Sequence, residues 1–225
     1  MPQELLSQVV VGDAAKGDSA DRPLIVIIRG GESGSVEVWL TKLIGASVAS
    51  DLVLRYVVLP DELVATQAIL GQLPTTVNAT AITLPSATDF ASALAGLATE
   101  YAGADFAFIA AGANIPFAWD ARLRKAAYAS ARNAIATSLC DIHPLFALID
   151  EQLREGGAAP DLIDRSAYVM GNRGYYDVPR VHSICTYLRR DALDLVLAEL
   201  TPGDIQETLD RLTDRKSTRL NSSHW

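Results

Sequence analysis

The chain has only 2 cysteines in 225 residues, Cys140 and Cys185, set in separate apolar segments without a C-x-x-C spacing. That rules out a disulfide scaffold, and both thiols read as reduced core cysteines in a cytoplasmic compartment. No apolar run approaches the roughly 20 residues needed to span a bilayer. Met1-Pro2-Gln3-Glu4 opens no basic region followed by an apolar one, so no export signal is visible. Basic charge is also scarce, with 19 Lys and Arg against 27 Asp and Glu and a net charge of −8. A nucleic-acid backbone requires a clustered basic surface, and that class of partner is excluded.

What is present is a core. Hydrophobic residues make up 49% of the chain, with 15 Gly and 10 Pro as punctuation, the profile of one globular domain. Residues 1–22 end in a polar, small-residue stretch and read as a leader or linker. Leu24-Ile-Val-Ile-Ile28 is an unbroken apolar run between Pro23 and Gly30-Gly31, as expected of a strand buried on both faces.

From there the periodicity alternates. It predicts helices over 36–46, 62–73, 88–101 and 119–130, and strands over 52–59, 79–84, 106–110 and 134–139. Strands separated by helical segments imply an α/β fold with an open, mixed but mostly parallel sheet flanked by helices. Ligands of such sheets sit beyond the carboxyl ends of the strands. This makes residues 29–35, 60–61, 85–89 and 111–116 the expected rim of a site. Beyond a loop at 156–160, a further strand is predicted over 181–188, and a last helix from Thr201, with Thr201 as cap and Pro202 in the first turn.

The end of the chain departs from the rest. Asp214 to His224 reads DRKSTRLNSSH, a string that resembles one reading frame of a sequencing adapter. The expected domain is therefore 23–213, with 214–225 an artefactual tail and the domain incomplete at its C-terminal side. Three basic residues and one acidic residue fall in that tail, so 16 basic and 26 acidic residues remain.

Two segments carry a family resemblance. Asp105 to Tyr128, with Pro116, Trp119, Arg122, Leu123, Ala126 and Ala127 in register, resembles the strand, Asp-rich metal motif and following helix of the family 2 glycosyltransferases. Val178 to Leu193, with Pro179, Cys185, Tyr187, Arg189, Arg190 and Leu193 in register, is similar to the family's Arg-Arg segment. The resemblance implies the GT-A fold, a sheet of mixed direction near Cys185, a nucleotide-sugar donor and a glycan acceptor. It further implies surface polysaccharide or glycan synthesis in the cytoplasm, free or peripheral to the inner face of the membrane, with a partner domain in a longer chain.

For the site, the resemblance implies that Asp61 binds the nucleoside, while Asn114, Arg189 and Arg190 help the diphosphate. The family's Mg²⁺ or Mn²⁺ ion is expected to lose its ligand here, because Gly112 stands where the family places the metal-binding Asp. No catalytic base is visible after the Arg-Arg segment, so an impaired enzyme and a non-catalytic scaffold of the same fold are both compatible with the residues.

Each candidate also has an ordinary role open to it. Asp61 suits a helix cap, and Trp119 suits helix packing as well as a sugar platform or acceptor contact. Arg189 and Arg190 could pair with Asp191 or Asp194 instead of phosphate. His182 could approach a diphosphate with Arg180, or be structural beside Cys185. Asp141 and His143 lack a third ligand and read as loop residues. Gly30-Gly31-Glu32-Ser33-Gly34 lacks the Gly-Lys-Ser/Thr ending of a phosphate loop.

Overall fold

A computed structural model describes residues 22–29, 36–49, 52–129, 133–138 and 181–221, with the last helix's side chains described through residue 213. Residues 1–21 of the expected leader, the 30–34 loop, the 156–160 loop, Cys140, Asp141, His143 and Arg180 lie outside the described residues.

The chain order is β1 (Leu24–Arg29), α1 (Val36–Ala46), β2 (Val53–Val58), α2 (Leu63–Leu70), β3 (Asn78–Thr83), α3 (Phe90–Glu100), β4 (Asp105–Ala110), α4 (Trp119–Ala127), β5 (Ile135–Thr137) and β6 (Cys185–Leu188). Two helices follow, α5 (Arg190–Asp194) and α6 (Ile205–Asn221). Among the described residues the strands form one sheet in the order β3-β2-β1-β4-β6-β5. Strands β1 to β4 pair in parallel, whereas β6 runs antiparallel to both β4 and β5.

The apolar run of β1 is explained by its central place. Leu24, Val26 and Ile28 enter a core with α1, α2 and α4, while Ile25 and Ile27 enter a second core with α3, α5 and α6. Alternation fails in such a strand because both faces are covered. The chain steps outward from β1 to β3 and then returns to the other side of β1 for β4. Crossovers of one hand then require α3 on the face opposite α1 and α2, as observed.

Element ends differ from expectation for local reasons. Strand β6 begins at Cys185 rather than residue 181, because His182 Nδ1 accepts the Ile184 and Cys185 N–H groups at 3.2 and 3.5 Å and bends the preceding segment. Helix α2 ends at Leu70, where Gly71 N–H caps onto the Gln67 carbonyl at 2.9 Å.

Helix α6 starts later than Thr201 suggested. Asp204 Oδ1 accepts the Glu207 N–H at 2.8 Å and Glu207 Oε2 accepts the Asp204 N–H at 3.3 Å, a reciprocal capping box. The Thr201 carbonyl and hydroxyl instead accept Arg211 Nη1 at 2.8 and 2.5 Å. No described helix is long and apolar enough to cross a membrane.

Candidate functional site

The strand order reverses between β1 and β4, so a crevice is expected beyond their carboxyl ends. Strand β1 ends there in Arg29, which is in register with Val57 of β2 on one side and Ala110 of β4 on the other. The Arg29 carbonyl accepts the Ala111 N–H at 2.8 Å, carrying the pairing one residue past β4. The chain then turns, with Ala113 N–H donating to the Ala110 carbonyl at 3.1 Å and Gly112 at φ 83°. Glycine takes this left-handed conformation without the Cβ penalty.

This loop is braced from α1. The Trp39 indole Nε1–H donates to the Ala113 carbonyl at 2.6 Å. Ala118, at φ 57°, donates its N–H to the Ala46 carbonyl at 2.6 Å, tying the start of α4 to the end of α1. Asp120, 3% exposed, then grips the segment after α1. It accepts Ser47 Oγ at 2.5 Å, Ala49 N–H at 2.8 Å and Val48 N–H at 3.1 Å.

No motif in the sequence marks Trp39 or Asp120 for this role. A half-buried Trp on an amphipathic helix is the one signal available for the first, since its N–H needs an acceptor.

Asp61 is exposed in the turn after β2. Helix α2 has no side-chain cap, and Glu62 Oε2 instead accepts the Leu59 N–H at 2.9 Å, so Asp61 does not take the cap role open to it. Asn114 is exposed in the loop after β4. Both therefore lie at the carboxyl edge of the sheet, in loops on either side of Arg29.

Trp119 is 2% exposed inside the α1/α2/α4 core, and its Nε1 has no acceptor among the described residues. His182 lies at the same end of the sheet, 4% exposed. Because its Nδ1 accepts backbone N–H groups, the proton sits on Nε2, which donates to the Ser138 carbonyl at 2.7 Å.

Arg189 and Arg190 are elsewhere. Strand β6 is antiparallel to β4, with Leu188 opposite Phe106, so the two arginines emerge at the amino edge of the sheet. The six residues of β4 separate that edge from Asn114 by about 17 Å. There Arg189 forms a bidentate pair with Asp191 and lies over the Tyr128 ring, 4.5 Å from its centroid. Arg190 pairs with Asp194 at 2.7 Å and donates to the Ala98 and Tyr101 carbonyls.

The centre of this edge is Asp105, fully buried, which accepts Tyr187 Oη at 2.7 Å, Tyr128 Oη at 2.8 Å and the Arg190 N–H at 2.8 Å. Burial first, and then the Asp105 carboxylate, push the Tyr128 phenol up to about 12 and raise that of Tyr187 further.

A divalent ion needs several hard oxygen ligands. From Ala110 to Ala113 the β4 loop offers no side-chain oxygen, and Asn114 is neutral. Among the described residues no three His, Cys, Asp or Glu side chains gather as a metal site. The described residues do not fit a resident Mg²⁺ or Mn²⁺ ion.

No protein-family model and no curated protein matches the sequence. The fold, however, matches solved structures. One is a mannosyltransferase from Pyrobaculum calidifontis in complex with GDP-Man and Mn²⁺, at 15% identity and TM-score 0.57, over 96% of this chain and 56% of that one. Another is glucosyl-3-phosphoglycerate synthase from Mycobacterium tuberculosis in complex with UDP, at 16% identity and TM-score 0.48, over 90% and 68%.

The chain spans little more than half the length of the mannosyltransferase. The mixed sheet, with antiparallel β6 inserted beside β4, and the match to the mannosyltransferase agree that the chain has the GT-A fold of glycosyltransferases.

Proposed function

We propose that the chain is the donor-binding portion of a glycosyltransferase that takes a nucleotide-sugar donor at the β1/β4 crevice and serves a glycan acceptor. The observation that carries this reading is the switch in strand order between β1 and β4, with Asp61 on one side and the Ala110–Asn114 loop on the other. Asp61, exposed in the turn after β2, accepts hydrogen bonds from nucleoside hydroxyl or base groups. Asn114 donates to the diphosphate or the sugar. In the transfer, the acceptor oxygen bonds to the anomeric carbon as the bond from that carbon to the diphosphate oxygen breaks, and the acceptor's proton leaves to a base.

Gly112 and the missing carboxylates favour a second reading, a scaffold that keeps the fold without turnover. Calorimetric titration of the full chain with UDP-, GDP- and TDP-sugars, with Mn²⁺ and with EDTA, separates the two. Donor binding weakened by Asp61→Ala supports the first reading. Absence of binding to every donor under both conditions leaves the scaffold.

A further inference from the structure

We infer that the β1/β4 crevice holds the diphosphate of its ligand with a fixed cation, the guanidinium of Arg29, in place of a divalent metal ion. This rests on reading the crevice as the donor site, and titration with and without a metal ion distinguishes failure of one from failure of the other.

Arg29 is the last residue of the central strand, half-buried between Val57 and Ala110. Its guanidinium makes no hydrogen bond or ion pair with any described residue. Other arginines among the described residues are engaged. Arg55 reaches the Leu54 carbonyl, Asn78 and Tyr101, and Arg124 reaches Tyr187 and the Arg22 carbonyl. Arg190 and Arg211 are likewise held by protein acceptors. A half-buried charge without a partner is unfavourable, and an anion entering the crevice removes that cost.

The opposite wall suits the same ligand. Ala110, Ala111, Gly112 and Ala113 present no carboxylate that would repel a bare diphosphate or that could anchor a metal ion against it. The loop is nonetheless held firmly, by the Ala111 to Arg29 backbone bond and by Trp39 on Ala113. A planar guanidinium can form two parallel hydrogen bonds to phosphate oxygens and keeps its charge at any physiological pH. Arg29 therefore supplies at one wall the positive charge that a metal ion would otherwise bring.

The test is calorimetric titration of the full chain with UDP, GDP and inorganic pyrophosphate, in EDTA and in Mn²⁺, for the wild type, Arg29→Gln and Arg29→Lys. Because Arg29 has no partner among the described residues, Arg29→Gln should melt no lower than the wild type. The expected result is the same affinity in EDTA and Mn²⁺, a loss of about tenfold or more in Arg29→Gln, and partial recovery in Arg29→Lys. Uridine should bind the wild type and Arg29→Gln alike. Diphosphate binding that needs Mn²⁺, or that survives Arg29→Gln, overturns the fixed cation and leaves the donor site standing. No binding of any probe under either condition overturns both.

Discussion

Tyr187 and Asp105 lie 82 residues apart in the chain, yet the Tyr187 phenol donates to Asp105 Oδ2 at 2.7 Å in the fully buried amino edge of the sheet. The bond fastens antiparallel β6 to parallel β4. Arg124 Nε in turn donates to Tyr187 Oη at 3.0 Å, and Arg124 Nη2 donates to the Arg22 carbonyl at 2.8 Å, so α4 and the start of β1 join the same network. Asp105→Ala would leave two phenols and the Arg190 N–H without an acceptor. At about 1 to 3 kcal/mol for each buried group left unpaired, the variant should lose at least about 3 kcal/mol in urea unfolding. Tyr128→Phe, which removes one donor and leaves no orphan, should cost only about 1 kcal/mol.

Two titratable groups set an alkaline limit. Tyr128 is pushed up to about 12 from 10.0, and burial pushes the Cys185 thiol up to about 12 from 9.0. Both groups hold their proton more tightly folded than unfolded. Their contribution is therefore complete below the unfolded values and is lost as pH climbs through the folded ones. Urea midpoints should be level up to about pH 9 and fall steadily toward pH 12. In a Cys140→Ser background, Cys185 should stay unreactive to a thiol reagent until the chain unfolds, because burial disfavours its thiolate.

The central strands are readable because each is buried on both faces, and an unbroken apolar run as short as Leu24 to Ile28, closed by Pro and Gly, fits a covered strand far better than a helix. The role of the Arg189-Arg190 pair is not. Nothing local tells which end of the sheet an antiparallel strand will deliver its last residues to, and phosphate or carboxylate partners look alike until Asp105 and Asp194 are in place. Arg29 lies inside the expected rim, yet its isolation is a property of its neighbours and is invisible in the chain. His182 likewise shortens β6 through backbone hydrogen bonds that no spacing records.

The last helix offers a direct comparison of two caps. Asp204→Ala removes the acceptor for the Glu207 N–H and should cost about 1 kcal/mol. Thr201→Ala removes only an exposed hydroxyl that accepts Arg211, whose guanidinium keeps the Thr201 and Pro202 carbonyls. Its cost should be within about 0.5 kcal/mol of zero. A larger effect at Thr201 than at Asp204 in urea unfolding would place the cap where the sequence alone suggested it.

Gly112→Asp tests whether a single missing carboxylate accounts for the loop's lack of a metal site. At φ 83° an aspartate is strained, though less than a branched residue, and the fold should lose about 1 kcal/mol. One added carboxylate among Ala110, Ala111 and Ala113 still leaves a divalent ion short of ligands. Its negative charge would face the incoming diphosphate, so UDP and GDP should bind more weakly than to the wild type in EDTA. Mn²⁺ should fail to restore the affinity. Tighter, Mn²⁺-dependent binding by the variant would mean instead that the crevice keeps the rest of a metal site, with Gly112 as its one defect and Arg29 as an accessory to the ion.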